Sequence, residues 1–400
     1  MDFYKSHTHQ IELWYIDCTK NRGIEMPQNV NNSVQQIESL KKDLTSSYNI
    51  RNRIFLLFLV VSLTPICIIG SISYFSSRAT ITKQTTEYSL AALTQTVANI
   101  QLKLAEFENV SIRLFINKDF NSTLANFVKM KGGVSDSQKK IIEDYFNEYM
   151  ISNKDIFAFM FISNPKYERS IVITKDFQSD FLNLIRHFKE TNSYQSIVKA
   201  EGGIVWSNTI KLNRNNFVIL GRYIKDLGSG EPLGILAIVV DEDEIDQLAN
   251  LNIYNQLNIS FGELENYSFI INNEGEIVSS PFKEEIGKNV TQIMKDTKPL
   301  KPILGSPVSN RDYGSEINQG SFITEVNNKQ TLVTYKSIGS KIGVGGKSGW
   351  NLLSLAPTSY LYEDAYMVGF TTLILGIIFG ILAIFLSIYV AKLIDQQKMR

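Results

Sequence analysis

Two long segments without a charged residue constrain this chain more than any other feature of its sequence. They span residues 54–75 and 366–390. At about 1.5 Å of rise per helical residue, each is long enough to cross a hydrocarbon layer about 30 Å thick. A signal peptide is the competing interpretation of the first segment, but a polar, charged leader (residues 1–53) precedes it and no obvious cleavage site follows a short apolar stretch. We therefore predict two uncleaved transmembrane helices.

The cations that flank these segments predict the orientation of the chain. They lie before the first segment and after the second, at Lys41, Lys42, Arg51, Arg53, Lys392, Lys398 and Arg400. The opposite flanks carry only Arg78 and Lys83 after the first segment, and Glu363 and Asp364 before the second. Because cytosolic flanks are enriched in Lys and Arg, we predict a cell-membrane protein with both termini in the cytosol and the central region outside.

Composition narrows what the central region can be. Its length is ample for a packed core, and the two cysteines of the chain, Cys18 and Cys67, lie outside it, so it holds no internal disulfide and no zinc-type spacing. The 40 basic and 40 acidic residues balance, whereas nucleic-acid binding usually shows as a basic excess. We expect no nucleic-acid partner, no metal and no cofactor.

A stretch free of glycine and proline, residues 71–131, predicts a long helix after the first span, which we assign to 76–118 as a stalk. Its apolar residues recur every three or four positions, at Leu90, Leu93, Val97, Ile100, Leu104, Phe107 and Leu114. Such a face either packs on its own domain or forms a dimer seam. Both uses are compatible along one helix, and we predict a homodimer.

Short apolar runs separated by Gly, Asn and Pro follow this helix and predict strands. In the first lobe, 119–255, they lie at 156–165, 169–175, 203–212, 217–226 and 233–241, with helices at 135–150 and 241–251. This pattern indicates a meander sheet with helices on one face. A linker near 252–266 leads to a smaller second lobe, 256–357, with hairpins at 267–280 and 320–338 and a last strand at 349–357.

The order of these elements resembles the double Cache (PAS-like) sensory ectodomain of bacterial membrane receptors. The resemblance is carried by the long helix, the five-strand lobe, and "FIINNEGEIVSS" and "GWNLLSLAPTSYLYED" before the second span. "SLTPICIIGSISYFSS" and "PLGILAIVVDEDEI" are similar to YesM-type sensor histidine kinases. The resemblance covers residues 50–395 by pattern. It implies an α+β fold with tandem PAS-like lobes, a small-molecule ligand in the membrane-distal first lobe, and a displacement of the second span that signals inward.

The chain departs from that family in its cytosolic part. Kinases of this type continue with a HAMP helix pair, a phosphoacceptor histidine and an ATP-binding region. Here His7 and His9 lie in the leader and His187 in the outer region, while 358–365 is a connector and 391–400 is at most the start of a HAMP-like helix. No nucleophile stands beside a base in the outer region. We expect no enzymatic activity, and an output on a cytosolic domain or partner outside this sequence.

Candidate ligand contacts lie on the predicted strands of the first lobe. They are Phe159, Trp206, Asn208, Arg222, Tyr223 and Asp226. Trp206 could stack on a ligand, or be a core tryptophan with its N–H paired. Arg222 lies within an apolar strand and needs an anion, either a ligand carboxylate or an acid such as Asp226 or Asp241. Asp226 could receive a ligand amine, or serve the turn "DLGSG" that it begins.

The amino-acid-binding subclass of these ectodomains carries an Arg-x-Trp-Tyr cluster and a later Tyr-x-Asp. This sequence lacks the first, and Trp206 is followed by Ser and Asn where the second would stand. The ligand therefore stays an unknown small molecule.

Two further motifs have structural interpretations beside functional ones. "DEDE" at 241–244 could bind a hard cation, but acidic residues are also expected in the first turn of a helix. "GIIFG" fits the G-x-x-x-G pattern, so we predict that Gly376 and Gly380 let membrane helices approach closely. The sequence as a whole favours a signal-sensing receptor module in the lipid bilayer. The alternative is a membrane-anchored binding module without signalling.

Overall fold

The computed structural model describes residues 50–130, 134–167, 169–175, 181–212, 214–251, 266–305, 319–339 and 349–398. The chain divides into two compact units, one formed by Met1–Ser76 with Tyr366–Arg400 and the other by Ser77–Ala365. The predicted leader up to residue 49 and the predicted lobe boundary at 255/256 lie outside the described residues.

The unit of the two chain ends contains the predicted spans. The first begins helix α1, Ile50–Ile116, and the second lies in helix α8, Glu363–Lys398. Among the described residues, Tyr366–Val390 is the one helical segment long and apolar enough by composition to cross a membrane. The crossing of 54–75 stays a prediction, although these residues are helical.

The two predicted packing glycines face helix α1 within this unit. A Cβ atom on Gly376 would lie 3.5 Å from Ile66 Cγ2, and one on Gly380 would lie 3.7 Å from Leu63 Cδ2. A Cβ on Gly70 would meet Thr372 Cγ2 at 2.5 Å, which is closer than side chains tolerate. Gly70 is therefore the glycine that this helix pair requires, whereas a Cβ on Gly376 or Gly380 would make an ordinary van der Waals contact; the use of Gly376 and Gly380 in helix packing stays a prediction.

The first lobe is built on an antiparallel sheet of six strands. They are β1 Ile156–Ser163, β2 Ser170–Thr174, β3 Ile204–Trp206, β4 Ile210–Leu212, β5 Asn215–Lys225 and β6 Pro232–Asp241. Their order is β2-β1-β6-β5-β3, with β4 also paired to β5. The predicted meander is wrong, because β1 pairs with the distant β6. The predicted strand 203–212 is two strands, because Asn208 and Thr209 leave the sheet to bond the second lobe.

Helices cover both faces of this sheet, and the predicted one-sided arrangement is wrong. On one face lie α1, α2 (Lys118–Lys129) and α3 (Val134–Ser152); we call it the α1 side. On the other lie α4 (Phe181–Glu190) and α5 (Asn192–Lys199); we call it the α4–α5 side. Phe159 and Met160 point to opposite faces and are both buried. The unbroken apolar runs of β1 and β6 are typical of strands covered twice.

The second lobe follows helix α6, Glu242–Ala249, and has the predicted hairpins. Its strands are β7 Tyr267–Ile271, β8 Ile277–Ser279, β9 Gln319–Val326, β10 Lys329–Ser337 and β11 Asn351–Pro357, in the order β8-β7-β11-β10-β9. Asn327 and Asn328 both have positive φ (47° and 65°), as a two-residue type I′ turn requires. The short helix α7, Thr358–Leu361, precedes α8.

The apolar stripe of α1 is buried within its own domain. From Leu93 to Leu114 its members join one cluster with first-lobe residues such as Phe159 and second-lobe residues such as Trp350. Ser89 shares a 2.7 Å hydrogen bond with Thr334 of β10. Of the two predicted uses of this stripe, the structure shows packing on the helix's own domain. The homodimer stays a prediction and requires another surface.

Gly234→Ala is expected to lower the free energy of unfolding by about 2–3 kcal/mol. Gly234 begins the long pairing of β6 with β1, and its Cβ would lie 2.3 Å from the backbone oxygen of Ile162. Gly230→Ala is the matched control, because φ is +73° there but nothing lies within 4 Å; backbone strain alone predicts about 1 kcal/mol. Urea denaturation measures both, and equal losses would contradict the close contact at Gly234.

Candidate functional site

The structure places the six predicted ligand contacts in separate locations. Trp206 and Arg222 are buried on the α1 side, where Phe159 stacks on Phe146 of α3 with ring centroids 4.9 Å apart. Tyr223 lies on the α4–α5 side. Because successive residues of a strand face opposite sides of a sheet, the neighbours Arg222 and Tyr223 cannot line one pocket.

Trp206 contacts helix α1 and the second lobe. Its Nε1–H donates to Glu108 Oε1 at 3.1 Å, and its ring lies 6.1 Å from that of Phe107 and 5.6 Å from that of Trp350. Both Trp206 and Glu108 are buried. Of the two interpretations of Trp206, this arrangement matches a core tryptophan whose indole N–H is paired within the protein.

Arg222 is bound from the same helix. Its Nε donates to Ser111 Oγ at 2.7 Å and its Nη1 donates to the backbone oxygen of Gly202 at 2.6 Å, while the guanidinium lies 5.2 Å from the Phe115 ring centre. Burial lowers the pKa of Arg222 to about 10, and the charge of Glu108 opposes that shift. Among the described residues, Glu108 is thus the acid whose charge acts on Arg222, although the two side chains form no direct ion pair. We call Glu108, Ser111, Trp206 and Arg222 the buried polar cluster.

Asp226 is engaged by its own turn and by helix α2. Lys129 Nζ donates to it at 2.6 Å, and the Gly228 N–H and Ser229 hydroxyl donate at 2.9 and 2.8 Å. The hydrogen bond from Lys129, followed by those from the turn, holds the pKa of Asp226 well below its usual range. These contacts support the turn-forming interpretation, and contact with a ligand stays a prediction.

The α4–α5 side carries a polar patch that the sequence did not single out apart from Tyr223. Asn164 Nδ2 donates to Tyr223 Oη at 3.4 Å, and Tyr194 of α5 lies half-buried with its ring 5.8 Å from Phe188. Burial raises the pKa of Tyr194, and Tyr223 adds to the shift. We call Asn164, Tyr194 and Tyr223 the tyrosine face. Most of the other described side chains on this sheet face are apolar, including Met160, Ile162, Val172, Val205 and Ile235, while Ser170 and Thr174 of β2 lie on the same side.

Asn208 joins the two lobes. Its Nδ2 donates to Glu276 Oε2 at 2.7 Å, and Asn272 Nδ2 donates to Asn208 Oδ1 at 3.1 Å. Thr209 beside it donates to the backbone oxygen of Val278. Asn208 thus lies at the lobe junction, away from the tyrosine face.

The "DEDE" segment also belongs to the lobe junction. Asp241 caps helix α6 by accepting from the Asp243 N–H at 3.1 Å, as expected for a helix start. Glu242 is fully buried and accepts from Ser279 Oγ at 2.6 Å and from Lys283 Nζ at 2.6 Å. Lys283 also contacts Asp243 and Asp246. The ammonium group of Lys283 thus occupies the position that a cation would take among these acids. Among the described residues, no cluster of His, Cys, Asp or Glu side chains is arranged to hold a metal ion.

Stability is expected to fall as the pH rises from about 4.5 to about 7. Burial raises the pKa of Glu242 from 4.5 to about 7 in the folded state, against the opposing effect of Lys283. Between these values the folded chain binds more protons than the unfolded chain, so the contribution is complete below pH 4.5 and lost through pH 7. One such group gives a slope of at most about 1.4 kcal/mol per pH unit.

Urea denaturation between pH 5 and pH 8 tests this slope. Glu242→Gln should flatten the curve, leaving the part due to the other acids whose pKa burial raises, which are Asp241, Glu244, Glu276 and Glu285. A curve that keeps its full slope in Glu242→Gln would assign the pH dependence to other groups.

The family model dCache_1, a Cache domain, matches residues 77–365. No curated protein matches the chain significantly. Among solved structures, the periplasmic sensory domain of the Campylobacter jejuni chemoreceptor Tlp1 is 16% identical with a TM-score of 0.50, over 71% of this chain and 98% of that one.

Two ligand-binding domains of Pseudomonas aeruginosa amino acid chemoreceptors are also similar. The PctB domain in complex with L-Arg is 12% identical with a TM-score of 0.47, over 70% of this chain and 98% of that one. The PctC domain in complex with GABA is 12% identical with a TM-score of 0.43, over 68% of this chain and 99% of that one. At such identities, the likeness to the Tlp1 domain shows the fold alone.

Proposed function

The chain belongs to the Cache domain family, and from this premise we propose that it is the sensory module of a membrane receptor. In this proposal the segments 54–75 and 366–390 cross the membrane, both termini are cytosolic, and residues 76–357 form the stalk and the two outer lobes. A small molecule binds the first lobe, and its binding changes the arrangement of the spans. The response is produced by a cytosolic domain or partner, and the module itself catalyses no reaction.

The observation that carries the proposal is the tyrosine face. A hydroxyl pair and an amide stand half-buried on a sheet face that is mostly apolar. Such a combination of an apolar wall and a few oriented polar groups is typical of small-molecule sites. Two of the earlier candidates, Trp206 and Arg222, already have protein partners on the α1 side.

The chemistry of this face bears on the ligand. An amino acid brings a carboxylate and an ammonium group, and each needs a charged or multiply hydrogen-bonding partner when water is removed. Asn164, Tyr194 and Tyr223 carry no charge at neutral pH. The described residues of the tyrosine face therefore favour a ligand with hydroxyl or carbonyl groups over an amino acid.

Ligand binding is tested by the thermal unfolding of the full chain in nanodiscs. Tryptophan fluorescence is a suitable signal because Trp206 and Trp350 lie together at the lobe junction. Amino acids, sugars, carboxylates, polyamines and peptides form the panel, and a ligand at a hundredfold its Kd adds about 2.7 kcal/mol of stability. Tyr223→Phe should weaken binding of the active compound by up to about tenfold, the value of one hydrogen bond.

Tyr149→Phe is the matched control, because Tyr149 is a partly buried tyrosine packed against the α1-side core. It should bind like the wild type. Equal weakening by both changes, or no stabilising compound in the panel, would contradict a ligand at the tyrosine face. Spin labels placed in segments 54–75 and 366–390 distinguish a signalling receptor from a binding module that does not signal. In a signalling receptor, the distance between the two labels changes when the ligand binds; in a non-signalling module it does not.

A further inference from the structure

A cavity lies between the lobes, away from the tyrosine face. It has a volume of about 380 Å³ and is enclosed by helix α1, the end of helix α6 and the second-lobe strands β7 and β11. We call it the interlobe cleft. Its polar lining includes Ser89, Thr96, Asn99, Asn250, Ser268 and Ser354. The volume lies within the range of about 300–1,000 Å³ found for small-molecule sites.

The shape of the cleft is held by a buried asparagine. Asn250 Nδ2 donates to Asp246 Oδ1 at 2.7 Å and to the backbone oxygen of Ser268 at 2.9 Å, and Asn250 Oδ1 accepts from the Ser268 N–H at 2.7 Å. Asn250 is 2% exposed. These bonds join the end of α6 to the start of β7, so the wall that they form exists before any ligand binds.

Other polar groups of the cleft keep bonding capacity. Neither the Thr96 nor the Ser354 hydroxyl has a hydrogen-bond partner among the residues that the structure describes. Asn99 Oδ1 accepts from Gln95 at 3.2 Å, which leaves the Asn99 amide hydrogens to donate. Hydroxyl donors and acceptors from α1 thus face the same space as a hydroxyl from β11.

The lining also determines the charge of a suitable occupant. No Asp, Glu, Lys or Arg lines the cleft among the described residues, while Leu93, Leu248 and Ala249 supply apolar surface. The nearby Asp246 is already bound by Asn250 and Lys283. A charged ligand would lose its hydration without gaining a counter-charge, whereas a compound with C–H faces and several hydroxyls matches both parts of the lining.

We propose that the interlobe cleft is a second binding site, for a small neutral polyhydroxy compound such as a monosaccharide or a polyol. An occupant contacts α1, α6 and the second-lobe sheet at the same time. Its binding therefore stabilises the junction of the two lobes, independently of whether the tyrosine face binds a ligand.

The full chain in nanodiscs is titrated with glucose, ribose, glycerol and myo-inositol, with glutamate and putrescine as charged comparators. At least one neutral probe is expected to raise the unfolding temperature in a saturable manner, while the charged compounds do not do so through this site. Thr96→Leu fills the cleft and should weaken that binding at least about tenfold, which is about 1.4 kcal/mol.

Thr94→Leu is the matched control. Thr94 stands two residues away on the same helix, is exposed, does not line the cleft, and bonds only the Leu90 backbone oxygen among the described residues. It should bind the probe like the wild type. Thr96→Val keeps the volume and removes the hydroxyl, so a measurable loss is expected even if Thr96→Leu does not fold.

Three results would overturn the proposal: no saturable effect from any neutral probe, equal affinity in Thr96→Leu and wild type, or equal losses in Thr96→Val and Thr94→Leu. Tyr223→Phe separates the two sites. It should leave the affinity for the neutral probe unchanged, and a loss in this variant would move the probe to the tyrosine face.

Discussion

Arg222→Met is expected to lower the free energy of unfolding by about 2–3 kcal/mol, because a buried hydroxyl and a buried backbone oxygen each lose a charged hydrogen-bond donor. Arg222 is 6% exposed and Glu108 is 2% exposed. Without the guanidinium, the Ser111 hydroxyl and the Gly202 backbone oxygen each lose a bond, and the positive charge that acts on the buried Glu108 is removed. Urea denaturation at neutral pH measures the loss.

Arg113→Met is the control for this change, because Arg113 is an exposed arginine on the same helix. It should have little effect. Arg222→Lys should fall between the two, since an ammonium keeps the charge but not the two directed bonds of the guanidinium. If Arg222→Met were no worse than Arg113→Met, the buried polar cluster would not hold α1 to the sheet.

The same variant tests the earlier idea that Arg222 contacts the ligand. A compound bound at the tyrosine face should keep its affinity for the folded Arg222→Met chain, because Arg222 lies on the other side of the sheet. A specific loss of binding with the fold intact would return Arg222 to the ligand site.

Lys283→Met is expected to lower the free energy of unfolding by about 3–4 kcal/mol at pH 8, the lower part of the range for a broken buried pair because Lys283 is partly exposed. Lys283 Nζ lies 2.6 Å from Glu242 and 3.3 Å from Asp246, whose side chains are 0% and 4% exposed. Its loss leaves two carboxylates near each other at the lobe junction. The effect should shrink at pH 5, where Glu242 is protonated.

Lys295→Met is the matched control within the second lobe. Lys295 pairs with Glu325 at 2.7 Å, but its side chain is 74% exposed, and exposed pairs contribute little. Glu242→Gln combined with Lys283→Met should recover part of the stability. Equal, small losses for both lysines at both pH values would show that the lobe junction does not depend on Lys283.

Local features of the fold could be predicted because they depend on neighbouring residues. The positions of the strands follow from short β-rich runs, and the turn at Asn327 and Asn328 from residues that tolerate positive φ. The sheet order could not be predicted, since the pairing of β1 with β6 joins residues such as Phe159 and Ile238 that are far apart in the sequence.

The residues of the candidate site were harder to predict from the sequence for the same reason. The sequence predicted that Arg222 needs an anion, but its described partners are the Ser111 hydroxyl and the Gly202 backbone oxygen, and the acid that acts on it, Glu108, lies more than a hundred residues earlier in the chain. The available signal was a glutamate and a serine, Glu108 and Ser111, three residues apart on the apolar face of a long helix. Nothing comparable in the sequence joins Tyr194 to Tyr223, because only the packing of α5 on β5 brings them together.

The shared apolar stripe of α1 has a consequence for biosynthesis. The helix is translated first, yet part of its stripe, around Leu93, lies beside second-lobe residues such as Ser268 and Ser354. Part of its cover is therefore missing until β7 and β11 have left the ribosome, although α6 and the first lobe cover the rest earlier. A chain that stops before Asn351 lacks β11's part of this cover, and we expect it to expose that part of the apolar stripe to chaperones and proteases.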